Sequence, residues 1–346
     1  MGRFSLIRTQ RAPTTPPRTE EIPLYHWVLT GFACLQGLVF QGAAVAAEPY
    51  PSRPIRLVLS VGTGGVGDIT MRLFAQQMSK TMAQQIVVDN RPSAGGVAAA
   101  MAVINANPDG YTLLQAGNAA AISASLFKKL PFDVMKDFIP VSTTGIFQMA
   151  VIATPQSGFN SLADMIAFAK KNPRKLNVGT INVGSTQFLA VELFKSMAGI
   201  DVQTIPFKSN TALITSLRAG ELPVSFELLG PVLAQIKSNS LKALAVASDR
   251  RFAGLPEVPT VAEAGLAGYN VSSWTGFSVP ARTPAVIVER LAKEAASAAA
   301  IAEVRQTLQE IGIEARATTP DETRKLMASE IVRWRQVIEQ AKIERQ

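Results

Sequence analysis

The sequence predicts an α/β fold built as two lobes. Strand-length apolar runs alternate with segments of helical spacing along the chain, the pattern of sheets covered by helices. The 346 residues suffice for two domains with separate cores. Each half carries strand-to-helix turns rich in Gly, Ser and Thr. Two such lobes set face to face make a cleft at the carboxyl ends of their strands. Charged residues are sparse at 17%, which places the chain among globular rather than disordered proteins.

Residues 1–47 have the pattern of a cleaved export signal. Arg3, Arg8, Arg11 and Arg18 precede an apolar run over 27–40, and Ala44-Val45-Ala46-Ala47 supplies a small-residue cleavage site. The run is short for a membrane span. The chain's single Cys (Cys34) and single His (His26) both fall in this segment. A mature chain starting at Glu48 then has neither thiol nor imidazole. That excludes a disulfide, a Cys/His zinc site, a Cys nucleophile and a Ser-His-Asp triad. No catalytic residue, metal or cofactor is expected. Loss of four Arg and two Glu lowers the net charge from +8 to +6. The remaining basic residues are scattered and not interleaved with aromatics, so nucleic acid is not an expected partner.

The first folded unit is the clearest. An apolar strand over 55–61 stops at Gly62, Gly64, Gly65 and Gly67, and Asp68 opens a helix with apolar residues at Ile69, Leu73, Phe74, Met78 and Met82. Short strands follow at 86–88 and 111–116, separated by an alanine-rich helix over 97–105 and a Pro108-Asp109-Gly110 turn. The second strand-to-helix turn is Gly117-Asn118-Ala119-Ala120. Residues 131–140 read as irregular and 141–153 as extended. Ser161 caps a helix to Lys171, with Asp164 in its first turn. Strands are then expected at 176–179, 202–206, 222–226 and 241–247, with helices at 187–198, 211–219 and 232–238. Residues 256–268 are turn-rich and contain a short helix capped by Thr260 and Glu263. A strand over 274–279 returns to the first domain, and Thr283-Pro284 starts a helix. Two more helices cover 302–311 and 320–343. The last has a core-facing stripe at Met327, Ile331, Trp334 and Ile338.

The glycine turn before the first helix leaves backbone N–H groups without partners at the positive end of a helix dipole. It therefore reads as an anion site made of main chain. Gly62-Thr63-Gly64-Gly65-Val66-Gly67 also fits G-x-G-x-x-G, and Asp89 ends the next strand. A dinucleotide fold keeps a ribose-binding acid there, so an NAD-dependent oxidoreductase is the competing reading. An exported chain without His argues against it. Asp68 reads as a capping carboxylate that holds the loop in shape. Asn118 reads as a turn residue able to face a ligand, and Ser185 and Thr186 as caps that can offer hydroxyls. Lys208 and Glu227 each follow a strand expected to end near the cleft.

Several motifs in order resemble the Bug family, the periplasmic solute-binding proteins of tripartite tricarboxylate transporters. They are Tyr50-Pro51-Ser52-Arg53-Pro54-Ile55 entering the glycine loop, Asn90-Arg91-Pro92-Ser93-Ala94-Gly95-Gly96 and Pro108-Asp109-Gly110-Tyr111-Thr112-Leu113. Leu193-Phe194-Lys195-Ser196-Met197-Ala198-Gly199 and the run from Leu255-Pro256-Glu257-Val258-Pro259-Thr260 to Gly265-Leu266 continue the series, as do Ser273-Trp274 and the segment 280–284. The resemblance implies a two-lobed Venus-flytrap fold of mixed sheets flanked by helices. Lobe one would be 48–148 with 273–346, and lobe two 149–272. It implies a periplasmic monomer that captures a small organic carboxylate and docks on membrane permease subunits. A ligand sensor for a signalling receptor is the alternative partner arrangement. The implied ligand residues are Thr63, Gly64, Gly65, Val66, Gly67 and Asp68 in one loop, and Gly117, Asn118, Ala119 and Ala120 in a second. Lobe two would add Gly184, Ser185, Thr186, Gln187, the Phe207-Lys208 turn and Glu227. Phe188 stands where the family commonly has His, Phe207 replaces a usual Tyr, and Glu227 replaces a usual Asp. The Gly117–Ala120 turn is also poor in hydroxyls. These departures imply a less polar pocket, suited to a ligand with an apolar or aromatic body.

Overall fold

A computed structural model of the chain describes residues 50–346 and, before them, Thr15 alone. The export segment expected at 1–47 lies, apart from Thr15, outside the described residues.

The chain first builds β1 (Ile55–Leu59), β2 (Ile86–Asn90), β3 (Thr112–Gly117) and β4 (Phe138–Phe147). It then builds β5 (Met149–Ala153), β6 (Asn177–Ile181), β7 (Gln203–Phe207), β8 (Val224–Leu228) and β9 (Lys242–Val246), and ends with β10 (Ser273–Pro280) and β11 (Ile313–Ala315). These form two mixed sheets, one in the order β11-β4-β10-β3-β1-β2 and the other β7-β6-β8-β5-β9. The extended stretch read at 141–153 is thus two strands in different sheets, parted at Gln148. In the first sheet β1 pairs in parallel with β2 and β3, and β10 inserts antiparallel between β3 and β4.

The helices are α1 (Val66–Met82), α2 (Val97–Ile104), α3 (Asn118–Leu126), α4 (Leu162–Lys171), α5 (Thr186–Ala198), α6 (Asn210–Arg218), α7 (Leu229–Lys237), α8 (Ala285–Ala300), α9 (Ala302–Glu310) and α10 (Pro320–Gln340). Both faces of each sheet are covered, which is why the strands read as near-continuous apolar runs. In the first sheet, Ile55, Leu57 and Leu59 pack with Phe74 and Met78 of α1 and Leu291 of α8, while Val58 and Leu114 face Ala100 and Val103 of α2. In β5, Val151 joins the α5 side with Leu189 and Phe194, and Ile152 joins Leu213 and Val232 from α6 and α7.

One apolar cluster runs through both sheets. Ile122 and Leu126 of α3 and Trp334, Val337 and Ile338 of α10 share it with Val151, Phe194 and Phe226. The stripe read on the last helix is therefore core, as expected, except that Ile331 is only partly buried. Two local readings change. Residues 256–268 form turns rather than a short helix, although the capping pair survives: Glu263 N–H donates to Thr260 Oγ1 at 3.0 Å and Thr260 N–H to Glu263 Oε2 at 2.7 Å. Strand β11 has only three residues, too few to show a period.

Gly276 lies where β10 changes register against β4. A Cβ there would sit 2.1 Å from the Ser142 carbonyl oxygen, a backbone atom that cannot swing aside. Gly276→Ala is expected to destabilise the fold by about 1–3 kcal/mol, as overpacking does; an unchanged thermal midpoint would show that the sheet absorbs the methyl.

Candidate functional site

The carboxyl ends of β1, β3, β6 and β8 each feed a helix directly, and the four helix starts surround one cavity of about 940 Å³. It is lined by Gly64, Gly65, Val66 and Gly67 at α1, by Gly117, Ala119 and Ala120 at α3, by Gly184, Ser185, Thr186 and Gln187 at α5, and by Leu228 and Pro231 at α7. The starts of α1, α3 and α7 receive no side-chain cap; at α5, Ser185 accepts the Phe188 N–H. Among the described residues, no charged side chain lines this cavity. Its potential for anions therefore comes from main-chain N–H groups and aligned helix dipoles. Gly64 and Gly184 hold φ of +81° and +82°, the left-handed region that glycine enters without steric cost. Each turns the chain just before its helix.

The second turn differs from its reading as a loop. α3 begins at Asn118, so Asn118, Ala119 and Ala120 are its first helical turn. Asn118 is fully buried. Its Oδ1 accepts Trp334 Nε1–H at 2.8 Å and its Nδ2 donates to Thr186 Oγ1 at 2.9 Å. Indole nitrogen only donates, which fixes the amide orientation. The side chain expected to face a ligand instead ties α3, α5 and α10 together.

Asp68 stands behind the first turn. It accepts the Gly64 N–H at 3.0 Å, the Asn90 amide at 2.8 Å and the Arg72 guanidinium at 2.9 Å. Burial opposes its charge, but the hydrogen bonds from Arg72, Gly64 and Asn90 outweigh this and hold the carboxyl below its ordinary range. Its part is to hold the loop, as read from sequence. Thr63 is exposed and does not line the cavity, nor do Phe207 and Lys208; Asn210, at the start of α6, does. Asp89 is engaged by Arg56 and Arg91 and lies outside the cavity lining, so it is not offered as a ribose acid.

Glu227 lies within β8, one residue before its end, and is fully buried. Its Oε1 accepts from Gln187 Nε2 at 2.8 Å and from the Leu228 N–H at 2.7 Å, while Oε2 has no protein partner. Burial pushes its pKa up to about 7 against the pull of those two donors. It touches the cavity wall through Gln187 and the Leu228 N–H.

Sequence reading missed Gln115 and Trp274. Gln115 Oε1 accepts the Ser60 N–H at 3.2 Å and Nε2 donates to Thr275 Oγ1 at 3.1 Å, so it braces the cavity floor between β1 and β10. A lone amide in the apolar strand Thr112–Gly117 was the available signal. Trp274 lines the cavity with its indole N–H lacking a protein partner.

Two helix-flanked sheets around a cavity ringed by helix starts define a two-lobed solute-binding protein. The chain belongs to the tripartite tricarboxylate transporter receptor family, whose model matches residues 70–343. Protein BugT of Bordetella pertussis is 33% identical over 298 residues, 86% of this chain and 91% of that one. Among solved structures, a Rhodopseudomonas palustris protein with adipate is 30% identical with a TM-score of 0.74, over 85% of this chain and 99% of that one. MatC from the same organism, with bound malate, is 29% identical with a TM-score of 0.70, over 84% and 100%. The periplasmic binding protein BugD aligns at 27% identity and a TM-score of 0.70, over 86% and 100%. The resemblance to the Bug family and the two-lobed fold are thereby shown, and the chain is a solute-binding receptor.

The raised pKa of Glu227 means that the folded state holds a proton that the unfolded chain releases near pH 4.5. Its contribution is full below that pH and is lost as pH rises through about 7. Chemical denaturation at pH 5.5 and 8.5 is expected to show a loss on the order of a few kcal/mol in the wild type. Glu227→Gln should flatten the profile; an equal slope in both proteins would remove Glu227 as its source.

Proposed function

We propose that this protein captures a small organic carboxylate between its two lobes, taken as 48–148 with 273–346 and 149–272, and delivers it to membrane permease subunits. The observation that carries the reading is the ring of helix starts around a cavity without charged side chains. A carboxylate there exchanges water for main-chain N–H donors, from Gly65 to Gly67 on one side and from Gly117 to Ala120 on another. Gly184, Ser185, Thr186 and Gln187 face it from the second sheet. Asp68, Asn118 and Glu227 act behind this surface through Gly64, Thr186 and Gln187. Contacts from both lobes to one ligand favour the state in which both touch it.

The protein acts as a monomer in the periplasm after loss of its leader, and carries out no covalent chemistry. Carboxylate-bound relatives, adipate in one and malate in another, support the ligand class. Family membership supports the permease as partner.

A carboxylate present at one hundred times its Kd should stabilise the protein by about 2.7 kcal/mol, visible as a rise in thermal midpoint. Gly65 is the N-cap of α1, with extended φ/ψ and no atom within 4 Å of an added Cβ. Gly65→Asp supplies an internal carboxylate to the same N–H groups, since Asp is a favoured N-cap. Calorimetric titration is expected to show affinity falling at least tenfold while the apo protein stays folded. If no mono-, di- or tricarboxylate binds the wild type, or the variant binds as tightly, the reading fails.

A further inference from the structure

Beside the cleft, the first sheet encloses a smaller chamber of about 170 Å³. It shares Ser60, Val61, Gln115, Ala116, Ala119 and Ala120 with the main cavity, so the two adjoin. The chamber exists because small residues stand where larger ones would fill it. Ala100 of α2 lines it with the alanines of α3 and β3, together with Leu114, Phe132 and Phe138. Among the described residues no charged side chain lines it. Its polar groups are neutral: the hydroxyls of Ser60, Ser93, Ser123 and Ser278, and Gln115, which is bonded to Ser60 and Thr275. A second carboxylate here would lie mostly against Ala100, Leu114, Phe132, Val134 and Phe138, which offer it no hydrogen bond in exchange for its water, and that is costly. An apolar group meets no such penalty. An apolar cavity of about 150 Å³ is large enough to take up benzene, so this volume accommodates one six-membered ring.

We propose that the ligand is a monocarboxylic acid bearing an apolar group of about phenyl size. The carboxylate lies at the helix starts and the apolar group in the chamber under α2. This rests on the carboxylate reading above and narrows it to one chemical class.

Calorimetry with acetate, phenylacetate and malate on the full chain tests it. Phenylacetate is expected to bind at least tenfold tighter than acetate. Ala100→Leu, which fills the chamber away from the helix starts, should cost phenylacetate at least tenfold and leave malate binding at its wild-type level, weak or strong. Should that variant misfold, Phe132→Ala tests the same point by enlargement: naphthylacetate should gain on phenylacetate by at least fivefold. If carboxylates bind but phenylacetate is no tighter than acetate, or both variants leave the preferences unchanged, the chamber assignment is overturned and the carboxylate reading stands. If no carboxylate binds, both fall.

Discussion

On the proposed reading, the cleft depends on backbone N–H groups left free at the helix starts. Each of β1, β3, β6 and β8 leads into a helix at its carboxyl end, and α1 and α3 start without a side-chain cap; at α7 the Leu229 N–H is taken by the Gln148 carbonyl and Pro231 carries no N–H. An uncapped start is normally satisfied by water. Gathering several around one cavity concentrates donors and dipole ends in a region where, among the described residues, no side chain carries charge. The donors are also fixed by the sheet, so little reorganisation is needed when an anion replaces water. A surface lysine in the same place would have to lose rotamer freedom first.

Holding these donors in place falls to a layer of buried polar side chains. Asp68 fixes the α1 turn through Gly64, and Asn118 joins the first turns of α3 and α5 to the α10 indole. Gln115 spans β1 and β10, and Glu227 anchors Gln187. Each is buried, so each partner lost would leave a desolvated polar group at a cost of about 1–3 kcal/mol. The arrangement separates two tasks. On the proposed reading, main chain meets the ligand, and side chains one step back set the position of the main chain.

The front layer was legible in the sequence and the back layer mostly was not. Glycines between an apolar run and a helical period announce a strand–turn–helix unit, because only a few residues can make that turn. The loop before α1 followed from this alone, as did the role of Asp68, four residues from the N–H that it accepts. Asn118 was misread because its partner Trp334 lies 216 residues away and on another helix. Gln115 and Thr275 meet across 160 residues for the same reason. Local pattern identifies where donors emerge. It cannot say which distant side chains brace them, since that depends on how α10 returns across both sheets. The boundary at Gln148 was hidden for a related reason: the residues on either side of it, Ile146-Phe147 and Met149-Ala150, are equally apolar and buried.

The proposed binding of an anion through neutral groups bears on exchange. A fixed arginine in the cleft would be an ion needing solvation whenever the ligand is absent, and an ion pair whose separation is costly when the ligand leaves. Main-chain donors avoid both extremes. Empty, they hydrogen-bond to water; occupied, they hydrogen-bond to the guest, and affinity rises with the number of donors that both lobes bring to bear. Parting the lobes then removes part of the donor set without leaving an unpaired charge behind. For a receptor that must give up what it binds, that graded loss matters more than tight binding. The apolar chamber fits the same logic, since an apolar group withdrawn from it leaves no unsatisfied polar partner in the wall.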